Sequence, residues 1–117
     1  TGNMVLCGEN YQKYYVKAMK MRARIRAELE SVLSGCDFAI TPTAPTTALP
    51  FDYEAKNLYE EYYGDMFTVI ANISGNPALS IPMKTNGALP AGLQLIGKRL
   101  DEKTLYSAAI AIEEATL

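Results

Sequence analysis

Histidine is absent from the 117 residues. Without it, Ser-His-Asp and Cys-His nucleophile schemes are excluded from this chain, as is every imidazole metal site. Cysteine is scarce: Cys7 and Cys36 are the only two, and no CxxC spacing is present. Such a pair is neither a zinc site nor a disulfide framework, and its simple reading is two small, reduced, apolar residues of a cytoplasmic protein. Tryptophan is also missing, and a formal net charge of −2 gives no global signal for nucleic acid. No apolar run approaches the roughly 20 residues that a membrane span needs. The longest candidate, Met66 to Ile73, is interrupted by Thr68 and Asn72. The chain opens on Thr1, and no basic-then-apolar leader comes after it, so the sequence reads as a piece of a longer chain without a targeting segment.

The residues that are present suit a globular domain. Hydrophobic residues make up 49% and charged residues 21%, and the length allows one core in a single unit, 1–117. Six of the eleven positive charges fall between Lys13 and Arg26. In the same stretch Tyr11, Tyr14, Ala18, Met21, Ile25, Leu29 and Val32 recur every three or four residues, which predicts a helix from about Glu9 to Leu33 with one buried stripe. Gly35 comes next as a stop. Lys13, Lys17, Lys20 and Arg24 form a second, basic stripe with no aromatic residue interleaved.

The short run Asp37–Thr41 then reads as a strand buried on both faces. Pro42, Pro45 and Pro50 make the next segment an extended loop, and a loop past a strand end is a common place for a binding site. Asn57 to Ser74 is helical in pattern, with Gly64 inside it, and two shorter helices meeting near Gly64-Asp65 are allowed. Gly75-Asn76-Pro77 ends that segment. Ala78–Met83 and Leu93–Gly97 read as an antiparallel pair with Leu79 and Ile81 on one face and Leu93 and Leu95 on one face; Asn86-Gly87 marks the turn region between them. Asp101 would cap a closing helix carrying Leu105, Ala108, Ala109, Ile112 and Ala115. The order α-β-α-β-β-α defines an α/β fold.

Few of these residues can carry chemistry on their own. Ser74, Ser80 and Ser107 have no base beside them, no lysine lies in an apolar run, and the tyrosines fall mostly on apolar stripes where core packing is their role. The basic stripe could serve a binding module that docks RNA or a protein, or it could be a solvated helix face. Asp65 stands out because it interrupts the apolar stretch Tyr62 to Ile70 beside Gly64. A carboxylate there needs a cation, either of the protein or of a ligand.

Two linked motifs say more. Pro77-Ala78-Leu79-Ser80-Ile81-Pro82 and then Leu89-Pro90-Ala91-Gly92-Leu93-Gln94-Leu95-Ile96-Gly97 resemble the C-terminal signature of the amidase signature family. Asp65-Met66-Phe67-Thr68, Asn72 to Pro77, Thr41-Pro42-Thr43-Ala44-Pro45 and Tyr14 to Ala18 fit the same pattern in the same order, so the resemblance runs the length of the chain. It implies the last quarter of a mixed sheet wrapped in helices. It also implies an amidohydrolase with a serine nucleophile, a second serine and a lysine base, none of whose motifs falls within residues 1–117, so that this chain alone would be inactive. No cofactor or metal is implied. The likeness is nearest to the glutamine-hydrolysing branch, which supplies ammonia for transamidation of mischarged Glu-tRNA(Gln) alongside other subunits; a stand-alone amidase acting on another small amide is the alternative. In that branch the aspartate matching Asp65 holds the α-ammonium of glutamine, and the arginine for its carboxylate falls just before Thr1. Where the family usually has Asn before this aspartate, this chain has Gly64. The fragment is also expected to self-associate.

Overall fold

The computed structural model describes residues 6, 8–83 and 89–116. Tyr11–Val16 winds as a π-helix and runs directly into helix α1, Lys17–Leu33. In the wider winding the Tyr11 and Tyr15 rings stack, with centroids 5.1 Å apart. Gly35 closes the last turn by donating to the Val32 carbonyl, without left-handed backbone. Strand β1 is Phe38–Pro42, and helices α2 (Leu58–Tyr63) and α3 (Thr68–Ser74) come after it. The helical pattern over 57–74 therefore breaks at Gly64, as its sequence allows. Asn57 caps α2 by accepting from the Glu60 amide at 3.0 Å, and the Glu60 carboxylate reaches back to the Lys56 amide at 2.9 Å. Gly75, at φ 75°, closes α3 in the left-handed region that glycine enters freely.

Strands β2 (Ala78–Met83) and β3 (Ala91–Gly97) and helix α4 (Glu102–Thr116) complete the chain. Asp101 precedes α4, and its carboxylate accepts from the Thr104 hydroxyl at 2.8 Å. The strands form one antiparallel sheet in the order β1-β3-β2. The expected Asn86-Gly87 turn lies outside the described residues. Register puts Ile40 opposite Leu95 and Leu79 opposite Leu95, so these side chains share a face. That face packs on α4: Ile81, Leu95, Leu105 and Ala109 form the buried cluster, with Phe38, Leu79 and Leu93 against it. The opposite face carries Thr41, Gln94 and Ser80 in a row across all three strands.

The close approach of α4 explains Gly97. A Cβ there would lie 2.8 Å from Leu105 Cγ and 3.1 Å from both its methyls, and Leu105 is itself buried in the core. Gly97→Ala is therefore expected to lower stability by about 1–3 kcal/mol, the cost of overpacking a filled core. A thermal melt checks this; an unchanged Tm would contradict the packing described.

Expectations of burial need correction at β1 and on the first helix. β1 is an edge strand, and Ile40 is 52% exposed, so it is not covered on both faces. The apolar stripe of the first helix is mostly open: Leu33 is buried and Ile25 and Leu29 are half-buried, whereas Met21 and Val32 are exposed. The reason is length, because α1 rests on α3, which is only seven residues long. Arg22 and Arg26 leave the basic set to cap that short helix, donating to the Ile73 and Ser74 carbonyls at 2.7 Å each. Cys36 is exposed and in no disulfide, and Cys7 lies outside the described residues.

The molecule is a slab, 55 × 42 × 19 Å. Its accessible surface is 8947 Å², against roughly 6,300 Å² for a compact protein of this mass. Leu58, Tyr59, Tyr62 and Phe51 are among the exposed apolar groups, which overturns core packing as the role of the α2 tyrosines.

Candidate ligand cleft

The proline-rich loop leaves β1 and folds back along the rim of the sheet. Its first residue beyond the strand, Thr43, donates its amide to the Gly92 carbonyl at 2.9 Å. The Thr43 and Ser80 hydroxyls share a hydrogen bond of 2.6 Å. Both sit directly over Gly92, where a Cβ would come within 2.6 Å of Thr43 Oγ1 and 2.8 Å of Ser80 Oγ. The absence of a side chain at Gly92 is thus what lets the loop close onto β3. Gly92→Ala is expected to push the Thr43–Ser80 pair apart. The consequence would be faster hydrogen exchange at the Thr43 amide, on the order of tenfold, with the core amides of β3 little changed.

Two residues further along β3, Gln94 is 4% exposed. Its amide nitrogen donates to Thr41 Oγ1 at 3.0 Å and to the Phe67 carbonyl at 3.1 Å. A buried carboxamide must be satisfied in this way, since leaving it unpaired costs about 1–3 kcal/mol. Gln94 therefore ties two segments to the sheet: the strand end that opens the proline-rich loop, and the turn between α2 and α3.

Between these segments lies an open cleft of about 570 Å³, bounded by the loop from Pro42 to Leu49, by Gly64, and by Met83 and the stretch Pro90 to Gly92. The volume lies within the range of small-molecule sites. The loop singled out in the sequence is one wall. The turn that carries Asp65 is another, through Gly64.

Asp65 is exposed. Its backbone is fully engaged: the amide donates to the Tyr62 carbonyl, and its own carbonyl accepts from the Val69 amide and the Thr68 hydroxyl. Its carboxylate has no hydrogen bond or ion pair among the described residues. The structure thus holds this carboxylate by its main chain, just before the N-terminus of α3, and leaves its oxygens open to solvent.

The other candidates are not brought to the cleft. Ser74 is fully buried and bonds the Ile70 and Ala71 carbonyls, and Ser80 is used by Thr43. Lys13, Lys17, Lys20 and Arg24 are all exposed on the first helix. Arg24 pairs with Glu28 at 2.9 Å, and Lys13 Nζ stands 5.2 Å from the centre of the Tyr14 ring, so an aromatic residue does neighbour this stripe. Beyond the cleft, Tyr53 meets the Glu60 carboxylate at 3.3 Å. Partial desolvation, and then that carboxylate, raise its phenol above the ordinary tyrosine value. Among the described residues no helix is long and apolar enough to cross a membrane.

Sequence reasoning named Asp65 and the loop but assigned nothing to Thr41, Thr43, Ser80 or Gln94. The available signal was Gln94, a polar residue within the apolar run Leu93 to Gly97. Thr43 and Ser80 stand 37 positions apart and share no local pattern.

A helix-flanked antiparallel sheet with a cleft at its rim places the chain among mixed α/β folds. Residues 1–106 match the Amidase family. A glutamyl-tRNA(Gln) amidotransferase subunit of Zymomonas mobilis is 41% identical over 114 residues, covering 97% of this chain and 23% of the relative. The protein of the same name from Clostridium botulinum is 40% identical over 115 residues, covering 98% of this chain and 24% of the relative. The crystal structure of the same subunit from Thermotoga maritima superposes with a TM-score of 0.76 at 40% identity, over 90% of this chain and 23% of that one. This chain belongs to the amidase family, with the amidase signature fold, and spans about a quarter of the length of the curated relatives it matches.

Proposed function

We propose that the chain supplies the substrate-recognition wall of an amidase whose nucleophile and base lie in another part of the polypeptide. The substrate is glutamine, hydrolysed to release ammonia for transamidation of mischarged Glu-tRNA(Gln), and the protein acts beside further amidotransferase subunits. Its relatives bear the name of one subunit of such an enzyme. Asp65 is the substrate-binding residue, and its role is to pair with the α-ammonium group. One observation carries this reading: Asp65 keeps an unpaired, exposed carboxylate in the very turn whose Gly64 borders the cleft. A bare carboxylate of this kind fits a ligand cation and does not fit an internal ion pair. The alternative substrate, a small amide without an amino group, would leave Asp65 idle. A binding module on the basic helix face would leave the cleft idle.

A chimera tests the reading. The matching quarter of the Zymomonas mobilis relative is replaced by residues 1–117, and the product is expressed with the other subunits of that enzyme. Glutaminase activity within about tenfold of the parent is expected, the tolerance of a site whose geometry is kept to a fraction of an ångström. A folded, assembled chimera without activity would contradict it.

Taken alone, the chain should associate. β1 offers an unpaired edge with Ile40 exposed on it, and the surface excess exceeds what a standard interface of about 1,600 Å² requires. A dimer or larger species is expected in sedimentation at ~10 µM, where exposed apolar surface of this kind associates. A clean monomer would contradict this.

A further inference from the structure

We propose that Gln94 is the positioning residue of the cleft, holding the turn of Asp65 in fixed relation to the proline-rich loop. The inference rests on the reading of Asp65 as the substrate-binding residue, and it assigns Gln94 a role through Asp65 without contact to the ligand.

Three observations carry it. Gln94 lies on β3, the central strand and the most rigidly held of the three, bonded on both sides to β1 and β2. Its side chain points to the face away from α4 and contributes nothing to the apolar cluster on the other face. Its amide nitrogen bonds two different segments, at Thr41 and Phe67, which are 26 residues apart in sequence; Thr41 immediately precedes Pro42 of the loop that lines the cleft, and Phe67 closes the turn whose Gly64 lines it. Phe67 lies two residues after Asp65, inside the Gly64–Phe67 turn, and no other side chain among the described residues hydrogen-bonds its carbonyl. The two-residue spacing matters because the Asp65 backbone is otherwise fixed only by the local bonds of its own turn, to Tyr62, Thr68 and Val69. Those bonds set the shape of the turn. The Gln94 amide sets where the turn sits on the sheet. A displacement of the turn by about 1 Å is enough to degrade recognition of a bound substrate strongly.

The first test uses the chain itself. Gln94→Met keeps length and bulk while removing both donors; Thr41→Val removes the loop-side partner alone. Hydrogen exchange is read amide by amide. Gln94→Met should speed exchange at Val69, whose amide bonds the Asp65 carbonyl, and at Thr43, by at least about fivefold each, because local opening is governed by local contacts. Thr41→Val should do so at Thr43 and leave Val69 unchanged. Leu95 and Leu105 report global opening and should be unaffected in both variants. No change at Val69 in Gln94→Met overturns the proposal. So does a uniform acceleration that includes Leu95, which would make Gln94 an ordinary stabilising residue.

The second test is kinetic and uses the active chimera. Gln94→Met should raise KM for glutamine about tenfold with kcat within about threefold. In an Asp65→Asn background the same change should add less than about twofold, because both act on one interaction. Independent, multiplying losses overturn the proposal. If Asp65→Asn itself has no effect, the reading of Asp65 fails, while the exchange data still decide whether Gln94 holds the turn.

Discussion

Purified residues 1–117 are expected to hydrolyse no glutamine above the uncatalysed background. Histidine is absent from the sequence, and the serines the fold buries or engages are committed elsewhere: Ser74 to helix carbonyls, Ser80 to Thr43. An amidase needs an activated nucleophile beside a base, with donors aimed at the developing oxyanion. Among the described residues no lysine lies within hydrogen-bond reach of a serine hydroxyl. The whole rate enhancement, commonly a factor of about a million or more, should therefore be missing. The assay is glutamate or ammonia release from a preparation freed of contaminating amidase. Turnover that tracks the chain through purification, and that disappears on mutation of one of its own residues, would show that the catalytic centre lies within these residues.

Local pattern was enough for much of the fold. The alternation of Leu79 with Ile81 and of Leu93 with Leu95 specifies both strands and the face that meets α4. Gly64 marks the break between α2 and α3, and Gly75 marks the end of α3. What failed was the assignment of burial. Periodicity reports which residues of a helix share a side; it does not report what lies against that side. The stripe through Met21 and Val32 is periodic, yet α3 is too short to cover it, and both stay exposed. Ile40 is apolar for the same kind of reason: the strand pattern is local, whereas the neighbour that would cover an edge strand is not. Arg22 and Arg26 had no role in the sequence pattern, and only the packing of α1 on α3 brings them to its terminal carbonyls.

The cleft was legible in outline. Three prolines past a strand end indicate an extended wall, whereas the apolar stretch around Asp65 suggested a buried carboxylate and the fold leaves it exposed beside exposed Tyr62, Tyr63 and Met66. The latch that holds the walls was not legible, because it is made by hydroxyls and a carboxamide brought together over tens of residues. Gln94 alone left a local signal, unused in the sequence reading: a polar side chain within the apolar run Leu93 to Gly97. Gly92 could be read as a strand glycine, but its reason, two hydroxyls packed above it, exists only in the folded sheet.

On the proposed reading, glutamine recognition turns on Asp65. If its carboxylate pairs with the ammonium of glutamine, Asp65→Asn in the active chimera keeps the shape and removes the charge. A charge-assisted hydrogen bond contributes about 1.5–3 kcal/mol, so kcat/KM for glutamine should fall about tenfold to a hundredfold. A plain amide without an α-amino group should lose less than about threefold, since it never used the interaction. The melting temperature should hold, because the backbone bonds of the turn, to Tyr62, Thr68 and Val69, do not involve the carboxylate. Measuring kcat/KM for both substrates on this one variant, with its melting temperature, is the most direct test. A selective loss on glutamine at unchanged stability is the expected result; an equal loss on both substrates, accompanied by destabilisation, would contradict it.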